Sequence, residues 1–231
     1  DPGAYPRGMA FITTSTFAHN TAEETGGGLN NNRDSRATIT YSTFNGNEAA
    51  YGGGAANISN SDFRDGRLKI YNSTLSGNTA TSSGGGVYNT YGLVRLTNAT
   101  IAFNNAANGG GVYISGTGTV DIGNTIIAGN EAASNNDVAG FFESLGSNLI
   151  GDLGSALGFG EPGDQLDVDH TTVLAMALAD NGGPTKTHAL LSGSSAINAG
   201  DNSIVNSATD QRGFDRIVDT TVDIGAVEFG A

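Results

Sequence analysis

The sequence predicts an all-β fold: a right-handed parallel β-helix, a solenoid of about five regular rungs of about 26 residues each, with a C-terminal capping region. Three observations predict it. A nine-residue motif ending in Asn recurs five times, a triple-glycine block follows four of the copies, and no copy shows the spacing of a helix. We expect residues 1–10 to form a lead-in, 11–144 the rungs, and 145–231 degenerate rungs and the cap.

The recurrent motif carries two apolar positions and one asparagine at fixed spacing. Its asparagines are Asn20, Asn47, Asn78, Asn104 and Asn130. A repeat this short and without a helix cannot bury its apolar side chains alone, so the chain is expected to coil and stack them in internal columns. The asparagines should then form a ladder in which each amide bonds to its neighbours above and below, which satisfies buried polar groups.

The glycine blocks predict turns with positive φ or a close backbone approach that excludes Cβ. They are Gly26–Gly28, Gly52–Gly54, Gly84–Gly86 and Gly109–Gly111. The second repeat also carries an insertion, roughly 58–67, with Asp62, Arg64, Asp65 and Arg67. Insertions in solenoids emerge as loops and often mark a binding side, although this one could equally be a self-neutralising solvated loop.

Composition excludes several classes of protein. The formal net charge is −13 with only ten Lys and Arg residues, which argues against a nucleic-acid partner. The chain has no Cys, which excludes thiolate metal sites and thiol catalysis. No apolar stretch is long enough to form a transmembrane segment. The chain begins at Asp1 without a signal peptide, so we interpret it as a mature or excised fragment.

After Asn130 the repeat degrades into a series of short motifs. They are Ser147–Asp152 (SNLIGD), Gly163–Leu166 (GDQL), Leu178–Thr185 (LADNGGPT), His188–Asp201 (HALLSGSSAINAGD), Thr209–Phe214 (TDQRGF) and Val222–Phe229 (VDIGAVEF). With the GGGVYN rung pattern, these motifs resemble those of the choice-of-anchor Q family of bacterial right-handed β-helix proteins, along essentially the whole chain. The resemblance implies a secreted or cell-surface bacterial protein, and it implies no general catalytic site.

A catalytic alternative comes from the polyuronate lyases and epimerases that also use right-handed β-helices. Such chemistry needs clustered carboxylates with a Lys, Arg, His or Tyr at equivalent positions of adjacent rungs. The best column holds Thr38, Lys69, Arg95 and Asp121. Lys69 and Arg95 could face an acidic glycan, or Arg95 could simply pair with Asp121. No paired carboxylates recur in a column, so the sequence predicts a protein that is not an enzyme.

Three further sets of residues are candidates for binding. Tyr88 and Tyr113 follow equivalent glycine blocks and could stack against a glycan, or serve only as packing aromatics. No cofactor is predicted, and Ca²⁺ is the alternative, because it prefers oxygen ligands in Gly/Asn/Asp loops, where Asp also caps turns. Its candidate ligands are Asp164, Asp201 and Asp210. The threonine column suggests either an ice-binding surface or ordinary β-propensity; it comprises Thr16, Thr43, Thr74 and Thr100.

The sequence therefore predicts an extracellular or cell-surface β-helix with a structural or adhesive role. Little chain precedes the first rung to cap it. An uncapped end could stack on another copy to give a homopolymeric filament, or upstream rungs could have been removed with the rest of a longer protein. The alternative is a protein that binds or processes an extracellular polysaccharide, with Lys69, Arg95, Tyr88 and Tyr113 as the contact residues.

Overall fold

The protein is a parallel β-solenoid, and the predicted fold class is confirmed. The computed structural model describes residues 8–33, 35–59 and 66–231; residues 60–65, the greater part of the predicted insertion loop, lie outside the described residues. The strands are β1 (Met9–Thr13), β2 (Thr16–Ala18), β3 (Leu29–Asn32), β4 (Arg36–Thr40), β5 (Thr43–Asn45), β6 (Glu48–Tyr51), β7 (Ala55–Ile58), β8 (Arg67–Tyr71), β9 (Thr74–Ser76), β10 (Thr79–Ser83), β11 (Val87–Thr90), β12 (Leu93–Thr97), β13 (Thr100–Ala102), β14 (Asn105–Asn108), β15 (Val112–Ser115), β16 (Thr119–Gly123), β17 (Ile126–Ala128), β18 (Glu131–Ser134), β19 (Val138–Ala139), β20 (Phe142–Ser144) and β21 (Leu149–Ile150). Two short 3₁₀ helices follow, His170–Thr172 and Asn202–Ile204.

The strands form four parallel sheets in which neighbours are one turn of the chain apart. Sheet A has the order β1-β4-β8-β12-β16-β20, and sheet B has the order β2-β5-β9-β13-β17-β21. Sheet C runs β6-β10-β14-β18, and sheet D runs β3-β7-β11-β15-β19. Equivalent residues pair across rungs, as Ile39 pairs with Ile70 and Leu96 with Ile122. Sheet B continues beyond residue 144, because β21 pairs with β17.

The core lies inside the coil and is built from the inward columns. Ile39, Ile70, Leu96 and Ile122 from sheet A are fully buried, and the rings of Phe17 and Phe44 from sheet B stack with centroids 4.7 Å apart. The internal turn between sheets B and C holds the asparagine ladder. Each Nδ2 donates to the Oδ1 of the next rung at 2.8–2.9 Å, and the backbone N–H of the same residue donates to that oxygen too.

The glycine blocks serve two distinct purposes. The first glycine of each block has φ between +59° and +69°, the left-handed region that an L side chain disfavours. The second and third glycines are needed for space. A Cβ at Gly53 would lie 2.4 Å from the carbonyl oxygen of Thr79, and one at Gly54 would lie 2.6 Å from that of Gly86. Successive rungs therefore touch backbone to backbone at this corner.

The chain beyond β21 falls into two parts. Residues 151–166 cover the end of the solenoid, since Leu153, Phe159 and Leu166 pack against the interior core. Residues 167–231, called the lateral segment from here on, instead lie along the outer surface of sheet B. Their apolar side chains cluster with the outward residues Ala102, Ile126, Ala128 and Leu149 of that sheet. The cap expected at one end is thus largely a lateral covering.

Candidate functional site

The outward residues of sheet A, called face A, hold the two predicted cations side by side. Lys69 and Arg95 are register partners on β8 and β12. The full central column of face A runs Phe11, Thr38, Lys69, Arg95, Asp121 and Glu143. The column next to it adds Arg36 on β4 and Arg67 on β8, which are also register partners. Four of the ten Lys and Arg residues of the chain therefore lie together on one sheet surface.

No described carboxylate lies within 4.0 Å of the charged ends of these four cations. In the described part of the chain, ion pairs within 4.0 Å join Arg212 to Asp210 and Arg216 to Glu228, and no other pair is found there. Arg95 and Asp121 are register partners without forming the ion pair considered from the sequence. Partial burial raises the pKa of Asp121, and the nearby charge of Arg95 offsets part of that rise. Among the described residues, the four cations of face A are therefore not held in ion pairs.

The two predicted tyrosines are brought together, but on a different surface from the cations. Tyr88 and Tyr113 lie on the outer surface of sheet D with parallel rings whose centroids are 5.9 Å apart. Tyr51 contacts the ring of Tyr88 at 5.1 Å. The ring of Tyr88 therefore contacts a tyrosine in each neighbouring rung, and a sugar could not stack on it without displacing one. This arrangement favours the interpretation of Tyr88 and Tyr113 as packing aromatics.

The three candidate calcium ligands each have a structural partner. Asp164 accepts from the N–H and the Nδ2 of Asn148 at 3.0 and 2.9 Å. Asp201 caps the helix Asn202–Ile204 by accepting from the Ser203 N–H. Asp210 accepts from Arg212 and from the Glu228 N–H. Within residues 8–33, 35–59 and 66–231, no three His, Cys, Asp or Glu side chains come close enough to hold a metal ion.

Asp137 ends the asparagine ladder, a role that sequence reasoning missed. Its Oδ1 accepts from the N–H and the Nδ2 of Asn130 at 2.9 and 2.7 Å, as the next asparagine would. Its Oδ2 accepts from the Asp152 N–H. A carboxylate suits the last step because it accepts without having to donate. Burial nevertheless raises the pKa of Asp137 to about 6, despite these three hydrogen bonds. A shift from Asn to Asp after the last repeat was the available signal.

The threonine column is mostly hidden beneath the lateral segment. Thr43, Thr74 and Thr100 are at most 2 % exposed, and Thr16 of the first rung is exposed. The Gln211 side chain bridges two of them: its Oε1 accepts from Thr74 Oγ1 at 2.6 Å, and its Nε2 donates to Thr43 Oγ1 at 2.9 Å. An ice-binding array needs a flat exposed surface, so the buried column contradicts that interpretation.

A histidine binds the lateral segment to β9 at Ser76, two residues after Thr74. The Nδ1 of His188 donates to the Ala175 carbonyl oxygen, which can only accept, so Nε2 accepts from the Ser76 hydroxyl; both distances are 2.8 Å. The Phe103 ring lies 5.0 Å from that of His188. Burial lowers the pKa of His188, so the neutral ring is the form that fits. The serine–histidine pair is buried and serves packing.

The motifs at 209–214 and 222–229 meet in a buried charged cluster. Arg212 donates from Nε and Nη2 to Asp210 at 2.9 and 2.7 Å. Arg216 is 1 % exposed, donates to the carbonyl oxygens of Asp223 and Gly225, and lies 3.8 Å from Glu228 Oε1. Burial raises the pKa of Glu228 to about 8. The cluster closes the lateral segment on itself.

Comparison with known proteins adds no relative to this description. No protein-family model matches the chain, no curated protein matches it, and no solved structure matches it. Membership of the choice-of-anchor Q family therefore stays a prediction. No helix of the described residues is both long and apolar enough to cross a membrane.

Proposed function

We propose that the protein is a structural or adhesive β-helix that acts outside the cell or on its surface and carries out no reaction. The observation that carries the proposal is the covering of face B, the outward residues of sheet B, by the lateral segment. Thr74 in the third rung is bound to Gln211, 137 residues further along the chain. Such a bond fixes the rungs against a second element, and the result is a stiff body with face A left open.

The hydrogen bonds of its buried polar side chains support a structural role over a catalytic one. Asp137, Asp164 and Asp210 accept backbone hydrogen bonds, and His188 is buried between Ser76 and Ala175. Acid–base catalysis needs a titratable group that can reach a substrate proton. The groups with the most perturbed pKa values here are instead enclosed by the fold.

End-to-end stacking into a filament stays a prediction, and the structure defines what it requires. In the first rung, the inward side chains of Ile12, Phe17 and Leu29 pack against the interior core and stay partly exposed. The other end of the solenoid is covered by Leu153, Phe159 and Leu166. Head-to-tail growth would therefore require residues 151–166 to move away from the last rung, at the cost of exposing its apolar side chains.

A second candidate function is the binding of an acidic polysaccharide on face A. The observation that favours it is a set of neighbouring cations that form no ion pair with any described residue, namely Arg36, Arg67, Lys69 and Arg95. Cations on a sheet surface bind a polyanion in a salt-dependent manner. The chain as a whole carries a net charge of −13, which opposes such a partner at longer range.

One experiment separates the structural, adhesive and enzymatic roles. The purified chain is incubated with polygalacturonate, alginate and a neutral glucan, and both retention of the protein on the immobilised polymer and release of new chain ends are measured. We expect no new chain ends with any polymer. Retention without cleavage would make the role adhesive. Cleavage that disappears in Lys69→Gln or Arg95→Gln would overturn the proposal in favour of a lyase or epimerase.

A further inference from the structure

The central column of face A has a charge order that is complementary to itself. Along the solenoid axis it places Lys69 and Arg95 in adjacent rungs, and Asp121 and Glu143 in the next two. The order is therefore two positive charges followed by two negative charges, at a spacing of about 4.8 Å per rung. Read in the opposite direction, the same column carries the opposite sign at each of these four positions.

We propose that two copies of this chain associate face to face through face A, with their solenoid axes antiparallel. The two-fold axis runs along the strand direction between β12 and β16. Lys69 then faces Glu143 of the partner subunit, and Arg95 faces the partner's Asp121. The symmetry generates the two reciprocal pairs, as in any isologous interface. The inference rests on the structural role proposed above and names the partner.

The neighbouring column of face A fits the same arrangement. From the third rung to the sixth, this column holds Arg67, Leu93, Thr119 and Phe141. Phe141 takes the last place because Phe142, the next residue, pairs with Val120, the residue after Thr119. Phe141 is 54 % exposed. The two-fold axis places Arg67 opposite Phe141 of the partner subunit, where a guanidinium can lie over an aromatic ring. The same contact would shield an apolar side chain that is otherwise in water.

Alternative partners and registers satisfy the charges less well. Moving the axis by one rung, to lie between β8 and β12, would place Lys69 against the partner's Arg95, and like charges are unfavourable. A polyanion along the column would meet Arg95 and Lys69 but then Asp121 and Glu143. A second copy neutralises all four positions, which is why we favour it over an acidic polysaccharide on this face.

The size of face A predicts a weak dimer. With the axis between β12 and β16, the strands that face the partner are β8, β12, β16 and β20. At five residues per strand these four strands give about 16 Å by 19 Å, on the order of 300 Å² per copy and 600 Å² in total. Stable complexes commonly bury about 1,600 Å², so this association should depend on concentration. Its contacts are largely charged and at the protein surface, so added salt should weaken it. A variant that changes one charge is therefore a sensitive probe.

Sedimentation equilibrium of the full chain up to about 1 mM, at low and high salt, tests the proposal. The wild type is expected to dimerise at low salt and to dissociate at high salt. Arg95→Glu alone and Asp121→Arg alone each introduce two repulsive contacts per dimer, and each should weaken self-association at least about tenfold. The decisive sample is the mixture of the two variants, in which all four charge pairs are restored, so a heterodimer should form.

Two controls complete the design. The double variant Arg95→Glu/Asp121→Arg keeps a complementary column and should dimerise again, while Glu131→Arg, a charge reversal on the exposed side of sheet C, should leave the dimer unchanged. Circular dichroism melting verifies that each variant is folded.

A wild type that is monomeric under all conditions, or a dimer whose association is unchanged by both single charge reversals, overturns the proposal. A monomer retained on polygalacturonate through Lys69 and Arg95 also overturns it, and assigns the face to a glycan. None of these results tests catalysis, which the chain-end assay decides separately.

Discussion

Faces A and B belong to the same rungs, and yet one is open and the other covered. Each belongs to a sheet of six parallel strands, and both have outward threonines. Thr74 on face B is 0 % exposed, whereas Thr38 on face A is partly exposed and makes no side-chain hydrogen bond within the described residues. The difference teaches that the repeat specifies how rungs stack, while a segment outside the repeat decides which surface remains available.

The residue types of the two faces explain which one the lateral segment covers. Face B presents short side chains whose hydroxyls can satisfy an irregular backbone: Thr43 donates to the Lys186 carbonyl oxygen, and Thr100 accepts from the Ala226 N–H. Face A presents Lys69 and Arg95, whose charged ends would lose hydration under such a covering. Small polar columns can be covered by irregular chain at low cost, and charged columns cannot.

The largest test of the contrast is removal of the glutamine that joins face B to the lateral segment. Gln211→Ala removes the acceptor of the buried Thr74 hydroxyl and the donor to the hydroxyl oxygens of Thr43 and Thr185. The last two hydroxyls still donate to carbonyl oxygens. We expect the free energy of unfolding to fall by about 3 kcal/mol, measured by urea denaturation. The matched control is Gln165→Ala, which loses one exposed hydrogen bond to the Ser195 carbonyl oxygen and should cost about 1 kcal/mol or less. Equal losses would contradict the anchoring role of Gln211.

Acidification should reduce the contribution of His188 to the free energy of unfolding. Burial lowers its pKa below the usual 6.5, so the unfolded chain binds the proton more tightly. Stability contributed by the neutral ring is therefore present above pH 6.5 and is lost as the pH falls through the folded pKa, by at most about 1.4 kcal/mol per pH unit. The wild type and His188→Gln are compared by urea denaturation between pH 7.5 and pH 4.5, and their difference in stability should shrink on acidification.

The stability of His188→Gln has to be subtracted from that of the wild type, because two buried acids make the folded state more stable on acidification. The pKa of Asp137 is raised to about 6 and that of Glu228 to about 8, so the folded state binds their protons more tightly than the unfolded chain. Acidification through those values favours folding. A difference between wild type and His188→Gln that stays constant with pH would show that His188 does not titrate with unfolding.

The smallest test compares two threonines that the repeat treats alike. Thr74→Val on face B removes the hydroxyl that donates to Gln211 Oε1 and should cost about 1 kcal/mol. Thr38→Val on face A removes no hydrogen bond of the described structure and should change stability by less than about 0.5 kcal/mol. Thermal unfolding of both variants measures the two losses of stability. Similar losses would contradict the difference between face A and face B.

Repetition is what made much of the fold predictable. The apolar columns and the ladder from Asn20 to Asn130 recur at nearly fixed spacing, so the same structural role can be recognised in each of the five repeats. The glycine blocks were interpretable for the same reason. The last acceptor of the ladder, Asp137, was missed because it occurs once, seven residues after Asn130 instead of a full repeat later.

The candidate site was predictable only in part. Register placed Lys69 beside Arg95 and Tyr88 beside Tyr113, as equivalent positions of adjacent rungs must lie. The sequence did not indicate that the two pairs occupy different sheets. It also left Asp164, Asp201 and Asp210 as candidate metal ligands, because a carboxylate that accepts backbone hydrogen bonds and one that holds a cation look the same in a loop sequence.

By itself, the sequence determined the β-solenoid, the direction of stacking and the ladder, because these depend on contacts between equivalent positions about 26 residues apart that repeat along the chain. Only the tertiary structure decided which side of the solenoid is covered. That choice depends on single contacts such as Thr74 with Gln211, 137 residues apart, and on the non-repeating shape of the lateral segment. Periodicity reports contacts that recur, and it carries no information about a contact that is made once.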